Sequence, residues 1–168
     1  MYDQTKVWGF TTMNGTIYVL NGPNLNLLGV REPHLYGSTT LPQVEQQCRA
    51  VAQDLGFGCE FRQTNHEGVM VDWIHEARDA ACAIVINPAG LSFRSIPLLD
   101  ALKTFDQPIA EVHVTNIHRR DALYQHSLVS LAATGVIAGF GTLGYEMAMR
   151  AVVRLLAQPA ASATAATA

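Results

Sequence analysis

"CAIVINPAG", residues 82–90, is the most strongly apolar run in the chain, and it breaks off at a proline and a glycine. A short apolar run closed by turn residues reads as a buried strand. Working outward, "GVMVDWIHEARDA" (68–80) before it is amphipathic and helical, and a helix follows near 94–104. "TIYVLNG" (16–22), "CEFRQTN" (59–65), "IAEVHVTN" (109–116) and "GVIAGFG" (135–141) supply four more strand-like segments. Between the first two, "STTLPQVEQQCRAVAQDLG" (38–56) starts on capping residues, carries apolar positions at helical spacing and stops at Gly56. "LGYEMAMRAVVRLLAQ" (143–158) closes with a helix. Strands that alternate with helices predict an α/β fold: a five-stranded parallel sheet with helices on both faces, because parallel strands need right-handed helical crossovers.

The bulk properties set limits on this. The 168 residues suffice for one domain that buries most of its apolar surface. Hydrophobic residues make up 49% and charged residues 15%, a globular composition. A formal net charge of −3 gives no electrostatic case for nucleic acid or anionic lipid. No apolar stretch approaches the ~18 residues of a membrane span, and the N-terminus lacks the pattern of a signal peptide. Cys48, Cys59 and Cys82 are odd in number and without C-x-x-C spacing, which fits buried thiols in a reduced cytoplasm. Residues 1–14 read as a loosely held arm in which Met13 is an alternative start, 15–157 as the domain, and 158–168 as a disordered Ala/Thr-rich tail.

In such folds ligands sit beyond the carboxyl ends of the strands, at the topological switch point. Polar clusters follow four of the strands: "NGPN", "QTNHEG", "NPAG" and "HVTNIHRR". In the first loop Arg31 and Tyr36 stand five residues apart. A phenol is a poor base at neutral pH unless cations stabilise its phenolate, which an arginine can do; a surface tyrosine beside a solvated arginine is the plainer alternative. Glu111 and His113 share one face of a strand, so the carboxylate can orient the imidazole as a general acid, unless the histidine is simply a satisfied core residue. Asn24 and Asn87 either bond a ligand or cap the next helix. His66 and Glu67 read as caps, since His66 has no second metal ligand at useful spacing. His118, Arg119, Arg120 and His126 form a basic cluster that either binds an anion or faces solvent. Neither G-x-G-x-x-G after the first strand nor a Walker loop is present, so no dinucleotide or ATP is indicated; "GFGTLG" (139–144) reads as a tight turn.

Together, "VLNGPNLNLLGVREPHLYGSTTL", "QTNHEG…DWIHEA", "EVHVTNIHRR" and "AATGVIAGFGTLGYEMAMRA" resemble the type II 3-dehydroquinases, the 3-dehydroquinate dehydratases of the shikimate and quinate routes, from about residue 16 to about 156. The resemblance implies a flavodoxin-like three-layer sandwich, a homo-oligomer of trimers packed into a dodecamer, a small-molecule substrate, and neither metal nor cofactor. It places the lid pair on Arg31 and Tyr36, with the tyrosinate removing the proton alpha to the ketone. An asparagine that holds a water at the enolate matches Asn24, and the histidine that protonates the departing hydroxyl matches His113. Substrate groups would meet Asn87 and the backbone at Val114 and Thr115, and Asp100 matches an aspartate that reaches a neighbouring subunit's site.

Several positions depart from the family pattern. Where the family reads T-H-T-S, residues 92–95 read S-F-R-S, which puts Phe93 at the substrate-binding histidine and Arg94 beside it. The arginine expected to grip the substrate carboxylate falls on Tyr124, and another arginine on Leu99. Losing a charged hydrogen bond costs about 1.5–3 kcal/mol. Either Arg94 compensates, or the pocket takes a different hydroxy-ketone or a less charged ligand that stacks on Phe93. A binding homologue without turnover is the third alternative.

Overall fold

The structure is a computed structural model that describes residues 15–158; the expected arm, and the expected tail beyond Gln158, lie outside the described residues. Five strands, β1 (Thr16–Asn21), β2 (Gly58–Gln63), β3 (Ala83–Asn87), β4 (Ile109–His113) and β5 (Gly135–Ala138), form one sheet in the order β2-β1-β3-β4-β5, with every pair parallel. The inner strands β3 and β4 are buried at every position, which is why they read as unbroken apolar runs. The edge strands β2 and β5 are partly exposed.

Helices α2 (Leu41–Leu55) and α5 (Leu143–Leu156) cover one face, packing Val44, Cys48, Tyr145 and Met149 against Ile17, Val19, Val85 and Val112. Helices α3 (Glu67–Ala80) and α4 (Ile96–Leu102) cover the other, packing Met70, Ile74, Leu98 and Leu102 against Tyr18, Leu20, Ile84 and Ile86. The period-two alternation of β1 sends its side chains to both cores in turn. A short helix α1 (Pro33–Tyr36) sits in the loop between β1 and α2.

Local chemistry explains the boundaries. Helix α2 begins at Thr40, whose backbone N–H donates to Gln43 Oε1 at 2.8 Å, and ends at Gly56 with φ 80°, a left-handed stop that glycine adopts without strain. Helix α4 begins later than expected because the Ser95 hydroxyl caps it, accepting from Leu98 N–H at 3.0 Å. Strand β4 ends at His113 rather than Asn116: the chain turns into a 3-10 segment at Ile117–Arg119, and the apolar run continues only because Val114 and Ile117 stay buried in the turn. β5 likewise ends at Ala138, where Gly139 and Gly141 adopt positive φ in the tight turn expected of "GFGTLG". Cys48 is buried while Cys59 and Cys82 are half-buried, and burial pushes the Cys48 thiol up to about 12 and the Cys59 thiol up to about 11.

Arg62, the penultimate residue of β2, lies over the rings of Tyr18 and Trp73 (5.2 and 5.6 Å). It donates to both Glu76 carboxylate oxygens at 2.7 and 2.8 Å, and Tyr18 donates to the same carboxylate at 2.7 Å. The guanidinium holds the exposed Glu76 carboxyl at about 2.

The chain leaves β1 toward β2 on one side and crosses back to β3 on the other, so β1 and β3 flank the switch point. Their ends approach closely there. Gly22 N–H donates to the Asn87 carbonyl at 2.8 Å, and a Cβ on Gly22 would lie 2.3 Å from the Pro88 carbonyl oxygen. Only glycine fits, and this contact sets the loops after β1 and β3 side by side on one rim.

Candidate active site

A cavity of about 230 Å³ opens at that rim. Asn24, Arg31 and Tyr36 line it from the loop after β1, Asn87 and Phe93 from β3 and its 3-10 turn, and His113, Val114, Thr115, Arg120 and Tyr124 from β4 and the segment after it. The structure thus brings ten of the residues singled out above to one cavity, and leaves Arg94 and Asp100 among those outside it.

The loop after β1 is braced by the loop after β2. Asn24 has φ 67°, and its N–H donates to Asn65 Oδ1 at 2.9 Å; Gln63 Nε2 donates to both the Gly22 carbonyl and Asn65 Oδ1. The Asn24 side chain makes no capping bond, which leaves it to the cavity. The polar residues of "QTN" therefore serve the turn. His66 occupies the N-cap of α3 without a side-chain capping bond, against expectation; its N–H instead donates to Thr64 Oγ1. Glu67 accepts from the Ser95 hydroxyl, tying α3 to the start of α4.

The lid runs from Leu25 to α1. Arg31 N–H donates to the Leu27 carbonyl, Tyr36 N–H to the Glu32 carbonyl, and Tyr36 leans on the core face under α2. Glu32 takes φ 46°, an uncommon conformation for a residue with a side chain, and its carboxylate pairs with Arg31 Nη2 at 3.1 Å. Both side chains are exposed, so this pair contributes only about 0–1 kcal/mol.

The opposite wall is held from inside the protein. His113 Nε2 meets Glu111 Oε1 at 2.6 Å, and Ser130 donates to Glu111 Oε2 at 2.5 Å. Glu111 is fully buried. Burial pushes its carboxyl upward, but the bonds from His113 and Ser130 outweigh it and hold the group below the usual carboxylate range. A fixed anion thus stands behind the imidazole, and the other ring nitrogen has no partner among the described residues. Val114 and Thr115 lie past the last rung of the sheet, and among the described residues neither backbone N–H has an acceptor.

Asn87 lines the cavity, and its Oδ1 accepts from the Ala89 N–H at 3.3 Å at the start of the next 3-10 turn, while its amide nitrogen has a further partner. Its Nδ2 donates to the Tyr145 hydroxyl at 2.9 Å, and that hydroxyl donates to Asn21 Oδ1 at 2.7 Å. Burial pushes the Tyr145 phenol upward, keeping it a protonated donor. This buried chain locks the ends of β1 and β3 to α5. Its sequence signal was the pairing of an asparagine at each strand end with one tyrosine on an otherwise apolar helix face.

The departures cluster too. The Phe93 ring stacks beside His113 (centroids 6.4 Å, interplanar 24°) and meets Tyr124 edge-on (5.3 Å, 84°). Arg120 lies 4.1 Å over the Tyr124 ring. The structure does not bring Arg94 into this cavity: it follows the 3-10 turn Ala89–Phe93 as an exposed residue, whereas the preceding Phe93 turns inward. Of the basic cluster, His118, Arg119 and His126 are exposed and Arg120 alone lines the cavity. Asp100 is exposed on α4, away from its own chain's cavity, and Leu99 is buried. Among the described residues no cluster of three or more His, Cys, Asp or Glu could hold a metal, and no helix is long and apolar enough to cross a membrane.

Residues 15–153 match the family described as Dehydroquinase class II. The chain belongs to the class II dehydroquinase family. It is 55% identical over 145 residues to a 3-dehydroquinate dehydratase of Cereibacter sphaeroides, covering 86% of this chain and 99% of the relative. With a 3-dehydroquinate dehydratase of Caulobacter vibrioides the identity is 54% over 140 residues, 83% and 96% of the two chains. The crystal structure of the type II dehydroquinase from Propionibacterium acnes superposes with TM-score 0.80 at 43% identity, over 84% of this chain and 98% of that one. The parallel sheet flanked by helices is thus the fold of class II dehydroquinases, and the chain is an enzyme of that family.

Proposed function

We propose that this chain is a hydro-lyase that converts 3-dehydroquinate to 3-dehydroshikimate by trans elimination through an enolate. Tyr36, as the tyrosinate, takes the proton from the carbon alpha to the ketone; Arg31 exchanges its weak surface pairing with Glu32 for a position beside the phenolate. Asn24 holds the water that donates to the enolate oxygen. His113, carrying a proton and oriented by Glu111, delivers it to the C1 hydroxyl as the C–O bond breaks, so that water leaves. Asn87 and the free amides of Val114 and Thr115 receive the substrate's polar groups.

The observation that carries this reading is the convergence of Asn24, Arg31, Tyr36 and His113 on one cavity, with the histidine tied to an ionised, buried glutamate. Its support from kinship is that the relatives named above are 3-dehydroquinate dehydratases. Incubation with 3-dehydroquinate, followed by the rise of enone absorbance, tests it: no absorbance change from folded protein refutes the reading.

Phe93 and Tyr124 favour a second reading, in which the same enolate chemistry acts on another hydroxy-ketone. Turnover of such an analogue in the absence of turnover of dehydroquinate would select it, and ligand binding without turnover of either would mark a binding homologue. A homo-oligomer, with Asp100 completing a neighbour's cavity and a dodecamer as the full assembly, is part of the same proposal; a monomer by light scattering would remove it. A cytoplasmic location is proposed with it.

A further inference from the structure

Asn21 and Asn87 end two neighbouring strands at the same level, because the register pairs them directly across β1 and β3. Residues two apart on a strand share a face. Asn21 therefore follows Ile17 and Val19, and Asn87 follows Ala83 and Val85, onto the face that α2 and α5 cover. Two amides facing an apolar layer need partners, and the hydroxyl that meets both belongs to Tyr145 in the first turn of α5. All three side chains are buried, so their bonding is settled inside one chain.

The sense of each bond is fixed by the two ends of this chain. An amide can present its oxygen or its nitrogen, and a hydroxyl both donates and accepts. Here Asn21 Nδ2 donates to the Arg62 carbonyl at 3.0 Å, and a carbonyl only accepts. That turns Asn21 Oδ1 toward Tyr145, whose hydroxyl donates to it and keeps a lone pair for Asn87 Nδ2. At the far end Asn87 Oδ1 accepts from the Ala89 N–H, and a backbone N–H only donates. Two backbone groups of opposite polarity thus dictate the direction of everything between them. What remains on Asn87 is the second hydrogen of Nδ2, which has no acceptor among the described residues, on a residue that lines the cavity.

We propose that Tyr145 and Asn21, neither of which lines the cavity, are positioning residues that lock the Asn87 amide in one orientation, so that the cavity meets it as a hydrogen-bond donor and takes a ligand oxygen there. An amide without such a lock turns over, and the same place then presents donor and acceptor alike. The inference rests on the reading of Asn87 as a ligand contact and assigns that contact its chemical sense.

The first test needs no ligand. Hydrogen exchange of the segment carrying Ala89 speeds up, relative to the other segments, in Tyr145→Phe and in Asn21→Leu, because a freed Asn87 amide no longer holds the Ala89 N–H. Asn21→Asp is the polarity control: ionised or protonated, it still offers Tyr145 an acceptor, so exchange at Ala89 stays closer to wild type than in Asn21→Leu. The second test is binding of quinate, a ring carboxylate, by calorimetry. Tyr145→Phe weakens it by about fivefold and Asn87→Ala by about as much or more. The Tyr145→Phe/Asn87→Ala pair is no weaker than Asn87→Ala alone, whereas two independent losses would multiply. Asn21→Asp binds about threefold tighter than Asn21→Leu. In turnover of dehydroquinate Tyr145→Phe raises KM more than it lowers kcat. Multiplying losses in the double variant, an Asn21→Asp as weak as Asn21→Leu, or unchanged exchange at Ala89 in Tyr145→Phe overturns the proposal. Unchanged binding in Asn87→Ala overturns it together with Asn87 as a ligand contact. Should Asn21→Leu not fold, Tyr145→Phe, which keeps the buried ring, decides. Wild-type protein that neither binds quinate nor turns over dehydroquinate would refute the functional reading, and the exchange comparison would still decide the lock.

Discussion

The two sides of the cavity are built in opposite ways. On the β4 side the proposed acid is backed by a buried carboxylate: Glu111 is fully enclosed, both its carboxylate oxygens are bonded, and His113 is fixed within a strand. On the lid side Arg31 and Glu32 are exposed, their pairing is weak, and Glu32 stands at positive φ. A general acid must be aimed once and kept there. A base over the substrate must let the substrate in. Rigidity on one wall and looseness on the other suit the different tasks proposed for His113 and Tyr36.

Removing the proposed base and removing the support of the proposed acid should therefore fail differently. Tyr36→Phe is expected to lower kcat by about 10²–10⁴-fold while shifting unfolding free energy by less than about 0.5 kcal/mol, read by steady-state kinetics beside urea denaturation. A large stability loss would mean that the lid is not separable from the core. Glu111→Gln should lower both quantities together: about 3 kcal/mol of stability, because a buried hydrogen-bonded ion is lost from a site built around it, and catalysis with it. A variant of wild-type stability would show that the buried wall is as forgiving as the lid.

Acid sharpens the contrast further. The Glu76 carboxyl sits at about 2 in the folded protein, below its ordinary 4.5. A depressed carboxyl contributes stability that is present above the unfolded value and lost as pH falls toward the folded one. Unfolding free energy should thus fall between about pH 5 and pH 2, with Glu111 adding to the loss in the same direction. Arg62→Ala should flatten the Glu76 share of that slope in denaturation measured across pH. Arg94→Ala, outside both walls, should leave KM for dehydroquinate within about twofold, as for an exposed residue with no cavity contact. A larger rise would bring Arg94 into the site after all.

Much of this was legible in the residues. The unbroken apolar runs announced buried parallel strands, and i, i+2 spacing put Glu111 and His113 on one face before any coordinate was known. The polar strand ends gave the rim. What could not be read was which of two nearby arginines turns inward. Arg94 and Arg120 both follow strands at short range, and the choice depends on 3-10 turns that place Phe93 inward and Arg94 outward. The strand ends were overrun for a related reason: residues such as Val114 stay apolar because they line the cavity, not because they extend the sheet. Tyr145 escaped notice because its partners lie 58 and 124 residues away in the chain.

That last bond has a consequence for synthesis. Asn21 emerges from the ribosome early and Asn87 midway, but the hydroxyl that joins them belongs to the closing helix. A nascent chain can carry Tyr36, His113 and the whole loop after β1 and still lack a fastened rim. Competence therefore waits until α5 has been made.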